Sequence, residues 1–427
     1  MLANRNDISE CNKPREKYVS MAACLAIVAP SIISLFNGAI RSVITIPFKL
    51  DTVFIYGVFV FIFILSLSRI IKRSLTTHSI FVAIAISIIS YLITFLINSN
   101  NTTYFINIGI DFLIRSIPWL LVGFAVRDYR VMKKYINLSG VIIITSFSYN
   151  FFILKANLFG DGFYSQQYSY TLLIAAIIFT NSIYEKKRFY NIVLLFFTLI
   201  LMTLLGARGP LVCYILYVGL KNYVSLRLNI KKVTLNLAIT TITVILIYVF
   251  HPYILNKLLF LSNKMNLSTR IIHRILGGAY FLDNSRVSLV EYSIELLKKY
   301  PLLGVGVGND RLLLANKIGV ANSLSEVVGW YPHNIFLEIL LHFGIIIGSI
   351  LIIYMLRIMY VSVRKIKNKD VIDIISIFIG IGFFPLFFSS SYIESPIFFV
   401  LIGMCLYQYE MYMSRTKKKN LTTNIIC

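Results

Sequence analysis

Negative charge is scarce in this chain. Its 427 residues include 18 Asp and Glu against 41 Lys and Arg, a formal net charge of +23. Charged residues of both signs make up only 14%, where an ordinary soluble domain carries about 25%. That shortage argues against a soluble globular protein. Cysteine is sparse too. Cys11, Cys24, Cys213, Cys405 and Cys427 lie near the termini or inside apolar blocks. With no CxxC and no Cys/His cluster of zinc spacing, neither a disulfide framework nor a structural zinc module is expected. No DxD-like or HExxH-like metal motif occurs between the apolar blocks on the side read below as external, so no metal and no cofactor is expected.

Hydrophobic residues, by contrast, are 58% of the chain and come in long blocks such as 81–97, 192–205 and 345–356. These approach or join into the ~20 residues needed to cross a bilayer. The fold class expected is an all-α integral membrane protein with about 12 transmembrane helices. The spans fall near 19–40, 51–68, 78–98, 104–126, 137–154, 168–184, 189–205, 209–225, 233–250, 334–358, 371–390 and 394–413. The basic N-terminus, with Arg5, Lys13, Arg15 and Lys17, lacks a convincing cleavage site and reads as preceding an uncleaved first helix.

The excess of cations now acquires a meaning. Clusters at 69–73, 127–134, 186–188, 221–232, 364–369 and 415–419 fall on alternate connections, and so on one side of the membrane with both termini. That side is the cytoplasm by the positive-inside trend. A nucleic-acid partner, which the same charge would suggest in a soluble protein, is not expected.

Three segments follow: 1–250 with about nine helices, a loop at 251–333, and 334–427 with about three helices and a basic cytoplasmic tail. The loop lies on the external side. At roughly 80 residues it far exceeds ordinary connections and is too apolar to be disordered, so short amphipathic helices near the membrane surface are expected. One helix reads clearly: Ser285 as N-cap, Val290, Ile294 and Leu297 on one face, Lys298 and Lys299 in the last turn, Pro301 as the stop. Then comes Leu302-Leu303-Gly304-Val305-Gly306-Val307-Gly308-Asn309, whose alternate glycines suit a tight backbone segment. It lacks the GxGxxG spacing and the Lys-Ser/Thr ending of phosphate loops.

Three basic residues on the external side depart from the topological pattern. Arg208 sits in Gly206-Ala207-Arg208-Gly209-Pro210, a tight turn between two spans, where snorkelling is the simplest alternative to an anion site. Arg286 lies in the first turn of the loop helix, against the helix dipole. An anion at that helix end would account for it, as would a salt bridge to Asp283 or Glu291. His333 stands where the loop re-enters the membrane and can take a proton from a hydroxyl near neutral pH. Glu338, slightly deeper, is costly unless functional or partnered, with His342 one turn on as the candidate partner. Arg270, His273 and Arg274 add positive charge to the loop, and Asp111 and Arg115 can neutralise each other at i, i+4.

The order Gly-Ala-Arg208-Gly-Pro, Arg286 opening a helix that ends in Tyr300-Pro301-Leu302-Leu303-Gly304-Val305-Gly306, then His333-Asn334 with Glu338 and Gly344, resembles the O-antigen polymerase and O-antigen ligase superfamily. The likeness covers about 190–350. It implies an enzyme of the bacterial inner membrane that uses undecaprenyl-diphosphate-linked glycan on the periplasmic face, without a metal. It implies catalytic roles for Arg208, Arg286 and His333 at the matching motif positions. Arg270, Arg274, Asn334 and Glu338 are expected to contact substrate. Membrane lipid, a chain-length regulator and other polysaccharide-assembly proteins are the expected partners. Polymerase-type members carry an Arg and a Gly with ten residues between, as Arg208 and Gly219 do; Arg286 has no such Gly. Polymerase, ligase, and a lipid-linked oligosaccharide flippase or other transporter all remain open, with polymerase preferred.

Overall fold

The structure, a computed structural model, describes residues 13–43, 50–74, 78–97, 102–150, 166–186, 188–205, 208–228, 256–257, 259–260, 284–319, 327 and 329–424. Arg270, His273, Arg274, the turn residues Gly206 and Ala207, and the expected span at 233–250 lie outside them. Among the described residues every regular element is helical. These are α1 (Lys13–Val43), α2 (Leu50–Ser74), α3 (His78–Ile97), α4 (Thr102–Ala125), α5 (Tyr129–Ser148), α6 (Gln166–Glu185), α7 (Phe189–Leu204) and α8 (Arg208–Leu228). Then follow α9 (Asn284–Lys299), α10 (Asn309–Ile318), α11 (Ile335–Arg364), α12 (Lys369–Phe378) and α13 (Pro396–Asn424). Five stretches within α1, α4, α11, α13 and the segment Lys369–Phe387 are long and apolar enough to cross a membrane.

The chain forms two compact units, each drawn from separated stretches. The first comprises Met1–Ser66, Arg127–Leu282 and Ile372–Pro385. There α1 lies along α5, α5 on α6, and α6 on α7 and α8. Serine hydroxyls tie α1 to α5, with Ser146 donating to the Ser31 carbonyl at 2.8 Å. The expected uniform span at 371–390 is broken. After Phe378 the helix passes into a π-helical turn, Ile379–Phe383, and a 3-10 turn, Phe384–Phe387. Gly380 in that turn meets Tyr217 of α8 so closely that a Cβ would lie 2.7 Å from its ring.

Buried ionic groups lock this unit. Lys221 Nζ reaches Asp373 at 2.6 Å and Asn181 at 2.5 Å, and Lys133 reaches Glu185 at 2.5 Å and Asp373 at 3.3 Å. Two cations thus face two carboxylates, so removing one partner leaves a buried charge unanswered.

The second unit comprises Leu67–Val126, Asp283–Val371 and Leu386–Cys427. Its spine is α4 packed lengthwise on α13, with α11 on α13 and α3 on α4. Small residues let the backbones approach, since a Cβ on Gly123 would sit 2.1 Å from the Val400 carbonyl oxygen. Asp111 and Arg115 do pair, at 3.2 Å. Their side chains are 56% and 41% exposed, so the pair neutralises itself on an outer face of this unit and not in its interior.

The loop helices α9 and α10 pack on each other and on α11. Leu289, Leu296, Val305, Leu314 and Leu341 form their common apolar core. Helix α9 opens at Asn284, so Ser285 stands inside its first turn and not at its N-cap; Lys298, Lys299 and Pro301 end it as expected.

The glycine-rich segment after α9 is threaded across a break in α11. Gly344 interrupts that helix at φ 75° and ψ 173°. Val305 donates to the carbonyl freed at Leu341 (2.6 Å), and Ile345 donates to Pro301 (2.8 Å). Irregular backbone at this depth needs such partners, because lipid offers none. Gly304, at φ 71°, lies against the Leu341 carbonyl.

Candidate functional site

The start of α11 holds three of the expected residues. Asn334 is its N-cap: the side-chain oxygen accepts from Phe336 N at 3.0 Å and Leu337 N at 3.2 Å. Its amide oxygen is therefore engaged in holding the helix start. His333 precedes it with φ 53°, the non-glycine residue with positive φ among those described, and is half-buried. Non-glycine residues in this region cost about 1–3 kcal/mol and persist where surroundings impose them, often at functional sites. One turn along, Glu338 is 1% exposed. It accepts from the Ser391 hydroxyl and, at 3.4 Å, from Tyr392 N. The hydrogen bonds of Glu338 thus run to the 391–392 turn, while His342, its expected partner, lies beside it with ligand atoms of the two within 4.8 Å.

Arg286 is the third residue of α9, half-buried, in the same unit as His333. Its charge acts on Tyr331, whose ring in turn lies 4.3 Å from that of His333. Arg208 is the first residue of α8, in the first unit, half-buried, with Pro210 in the opening turn. Both arginines thus stand at helix starts, where free N–H groups favour an anion.

Around α11 lies a buried polar cluster that sequence reasoning missed. His342 is clasped between Tyr392 Oη, 2.6 Å from Nδ1, and Asp310 Oδ1, 2.9 Å from Nε2. The second contact is an ion-pair distance without a well-angled hydrogen bond, and both Asp310 oxygens lack one. Arg311, fully buried, binds Glu394 Oε1 through Nη1 at 2.5 Å and lies over the Tyr331 ring at 5.3 Å. Burial would lower the Arg311 guanidinium, but the carboxylates of Glu394, Asp310 and Glu338 outweigh it and hold the group above its ordinary value. Burial and the Glu338 carboxylate push the Tyr331 hydroxyl up, so it stays neutral and donates to the Ser389 carbonyl at 2.7 Å. Asp310, Glu338 and His342 offer ligand atoms within 4.8 Å of one another and form, among the described residues, a group able to hold a metal ion. The Glu338/His342 spacing puts both on one helix face, but Asp310 joins them only through the fold.

Beside the glycine-rich segment is a cavity of about 720 Å³, mostly apolar. Ile86, Ile89 and Ile93 of α3 face Gly304, Gly306 and His342 across it.

Among the described residues every regular element is helical and five helices are long and apolar enough to cross a membrane, which makes this an integral membrane protein. The family model described as O-Antigen ligase matches residues 163–353, a little under half of the chain. Over that stretch the chain is similar to the O-antigen ligase family, which supports the resemblance to the ligase and polymerase superfamily read from the motifs. The match takes in Arg208, Arg286 and His333, and also Asp310, Arg311, Glu338 and His342. No curated protein matches the chain.

Proposed function

We propose that the chain is a glycosyltransferase of the bacterial inner membrane that polymerises lipid-linked repeat units of O-antigen or a related surface polysaccharide. Its donor would be undecaprenyl-diphosphate-linked glycan, used on the periplasmic face with both termini in the cytoplasm. The observation that carries this reading is the O-antigen ligase match over 163–353, which spans Arg208, Arg286 and His333.

The chemistry follows from the side chains. The acceptor hydroxyl oxygen attacks the anomeric carbon of the donor; the bond from that carbon to the diphosphate breaks, and polyprenyl diphosphate leaves with the electron pair. Arg208 and Arg286 hold the diphosphate, since guanidinium groups bind phosphates through paired donors, stay charged and stabilise the developing negative charge where a metal otherwise would. His333 takes or orients the hydroxyl proton. Glu338 ties the first turn of α11 to the 391–392 turn, while Arg270, Arg274 and the Asn334 backbone region meet the glycan. The apolar cavity beside the glycine-rich segment gives room for part of an isoprenoid chain.

The matched family's description favours a second reading, transfer of finished lipid-linked glycan to a lipid A core. Donor chemistry is shared and only the acceptor differs. Deleting the gene and running the surface glycan on a gel separates them. Core carrying a single repeat unit means polymerisation has failed and the chain is the polymerase. Bare core with polymer accumulating on the lipid carrier means the ligase. An unchanged ladder refutes both and turns attention to transport.

A further inference from the structure

We propose that Tyr331 is a positioning residue for His333, itself anchored by Arg311 and Glu394. The inference rests on the reading of His333 as the group that handles the acceptor hydroxyl, and it names what holds that imidazole in place.

His333 needs such support. It lies in a segment that turns from irregular backbone into α11, and its own φ of 53° is one that L side chains adopt reluctantly. Asn334 fixes the backbone just beyond it by capping α11. The capping bonds set where the Cα of His333 lies, and the Tyr331 ring bears on the imidazole itself, with its centroid 4.3 Å away and the planes inclined at 56°.

Tyr331 is itself held at two points. Its hydroxyl donates to the Ser389 carbonyl at 2.7 Å. On its ring lies the Arg311 guanidinium, 5.3 Å from the centroid. A desolvated cation over an aromatic ring is worth up to about 2 kcal/mol, and Arg311 is 0% exposed. Arg311 is oriented by Glu394, at 2.5 Å, at the end of the 3-10 turn Tyr392–Glu394. Its Nε and Nη2 make no hydrogen bond, so the guanidinium is placed by the Glu394 contact and by the ring it covers. The result is a continuous line, Glu394 to Arg311 to Tyr331 to His333. It connects the turn before α13 to the turn before α11, and it lies wholly within the second unit. Arg286 acts on Tyr331 through its charge.

The test uses the full chain in lipid nanodiscs and reads His333 directly. Diethyl pyrocarbonate modifies accessible imidazoles, and with five histidines in the chain each site is resolved by peptide mass spectrometry. In Tyr331→Leu the His333 modification rate changes several-fold while that of His78 does not. Turnover falls by about 10²-fold with the donor half-saturation concentration little altered, because misplacement of a reacting group by about 1 Å costs that much. Tyr331→Phe, which keeps the ring, recovers most of the rate. Should Tyr331→Leu fail to accumulate, Glu394→Gln loosens Arg311 and shifts the His333 rate in the same direction by less. An unchanged His333 modification rate in whichever of these variants is folded overturns the proposal. If instead the rate shifts but His333→Ala transfers normally, Tyr331 still positions His333 and it is the role given to His333 that fails.

Discussion

Replacing Gly344 by alanine should cripple the second unit. Its φ of 75° and ψ of 173° fall in a region that only glycine occupies readily, costing another residue about 1–3 kcal/mol. Space is lacking as well. A Cβ there would lie 2.0 Å from the Leu302 carbonyl oxygen and 2.4 Å from its carbon, both backbone atoms that cannot swing aside. The 301–305 segment would have to lift, losing Val305 N to Leu341 O and Ile345 N to Pro301 O. Leaving buried backbone groups unpaired costs about 1–3 kcal/mol each. A total loss of at least about 5 kcal/mol is therefore expected, a third or more of a typical domain's stability. Gly219 is the control: a Cβ on it meets nothing within 4 Å and it has helical backbone, so Gly219→Ala should be neutral or slightly stabilising. Thermal inactivation in detergent, followed by fluorescence-detected gel filtration, compares the two. A Gly344→Ala protein as heat-stable as Gly219→Ala would refute the interlocked segment.

The ionic cluster of the first unit gives a second expectation. Asp373→Ala strands Lys221 and should cost about 3–5 kcal/mol, whereas Lys221→Met with Asp373→Leu should recover most of it, both read as melting temperature. Arg286→Ala should lower transfer by about 10²–10³-fold if the guanidinium meets developing charge, with Arg286→Lys only partly restoring it; equal rates for the Lys and Ala variants would mean geometry matters less than supposed. Because guanidinium groups are assigned the charge neutralisation, transfer should survive prolonged chelator treatment. Its loss, restored by added divalent metal, would make Asp310, Glu338 and His342 a working metal centre.

Much of this was legible along the chain because it is local. The stop of α9 at Lys299, with its terminal lysines and Pro301, is a matter of neighbours and of helix chemistry. So is the tight run of glycines at 304–308, each with positive φ. Arg286 drew notice because a cation in a helix's first turn opposes the dipole, and His333 because it stands where the loop re-enters the membrane. What was hidden is non-local. Asp310 and Arg311 read as an ordinary acid–base pair at a short helix, yet meet His342 and Glu394, 32 and 83 residues away. The one signal available was their position directly after the glycine run, in a loop otherwise rich in basic residues. The π-helical break after Phe378 is set by packing against α6 and α8, and no proline or charge within 371–383 marks it except Asp373. Glu338 was recognised as costly, but its partner Ser391 lies across the loop before α13.

The most direct test is transfer by the purified protein. The chain in nanodiscs is given a synthetic undecaprenyl-diphosphate-linked repeat unit, and released undecaprenyl diphosphate and the lengthened glycan are both measured. Release matched by elongation is expected from the wild-type chain, and neither product from Arg208→Ala, Arg286→Ala or His333→Ala at equal protein levels. Undiminished release and elongation by all three variants would contradict that expectation.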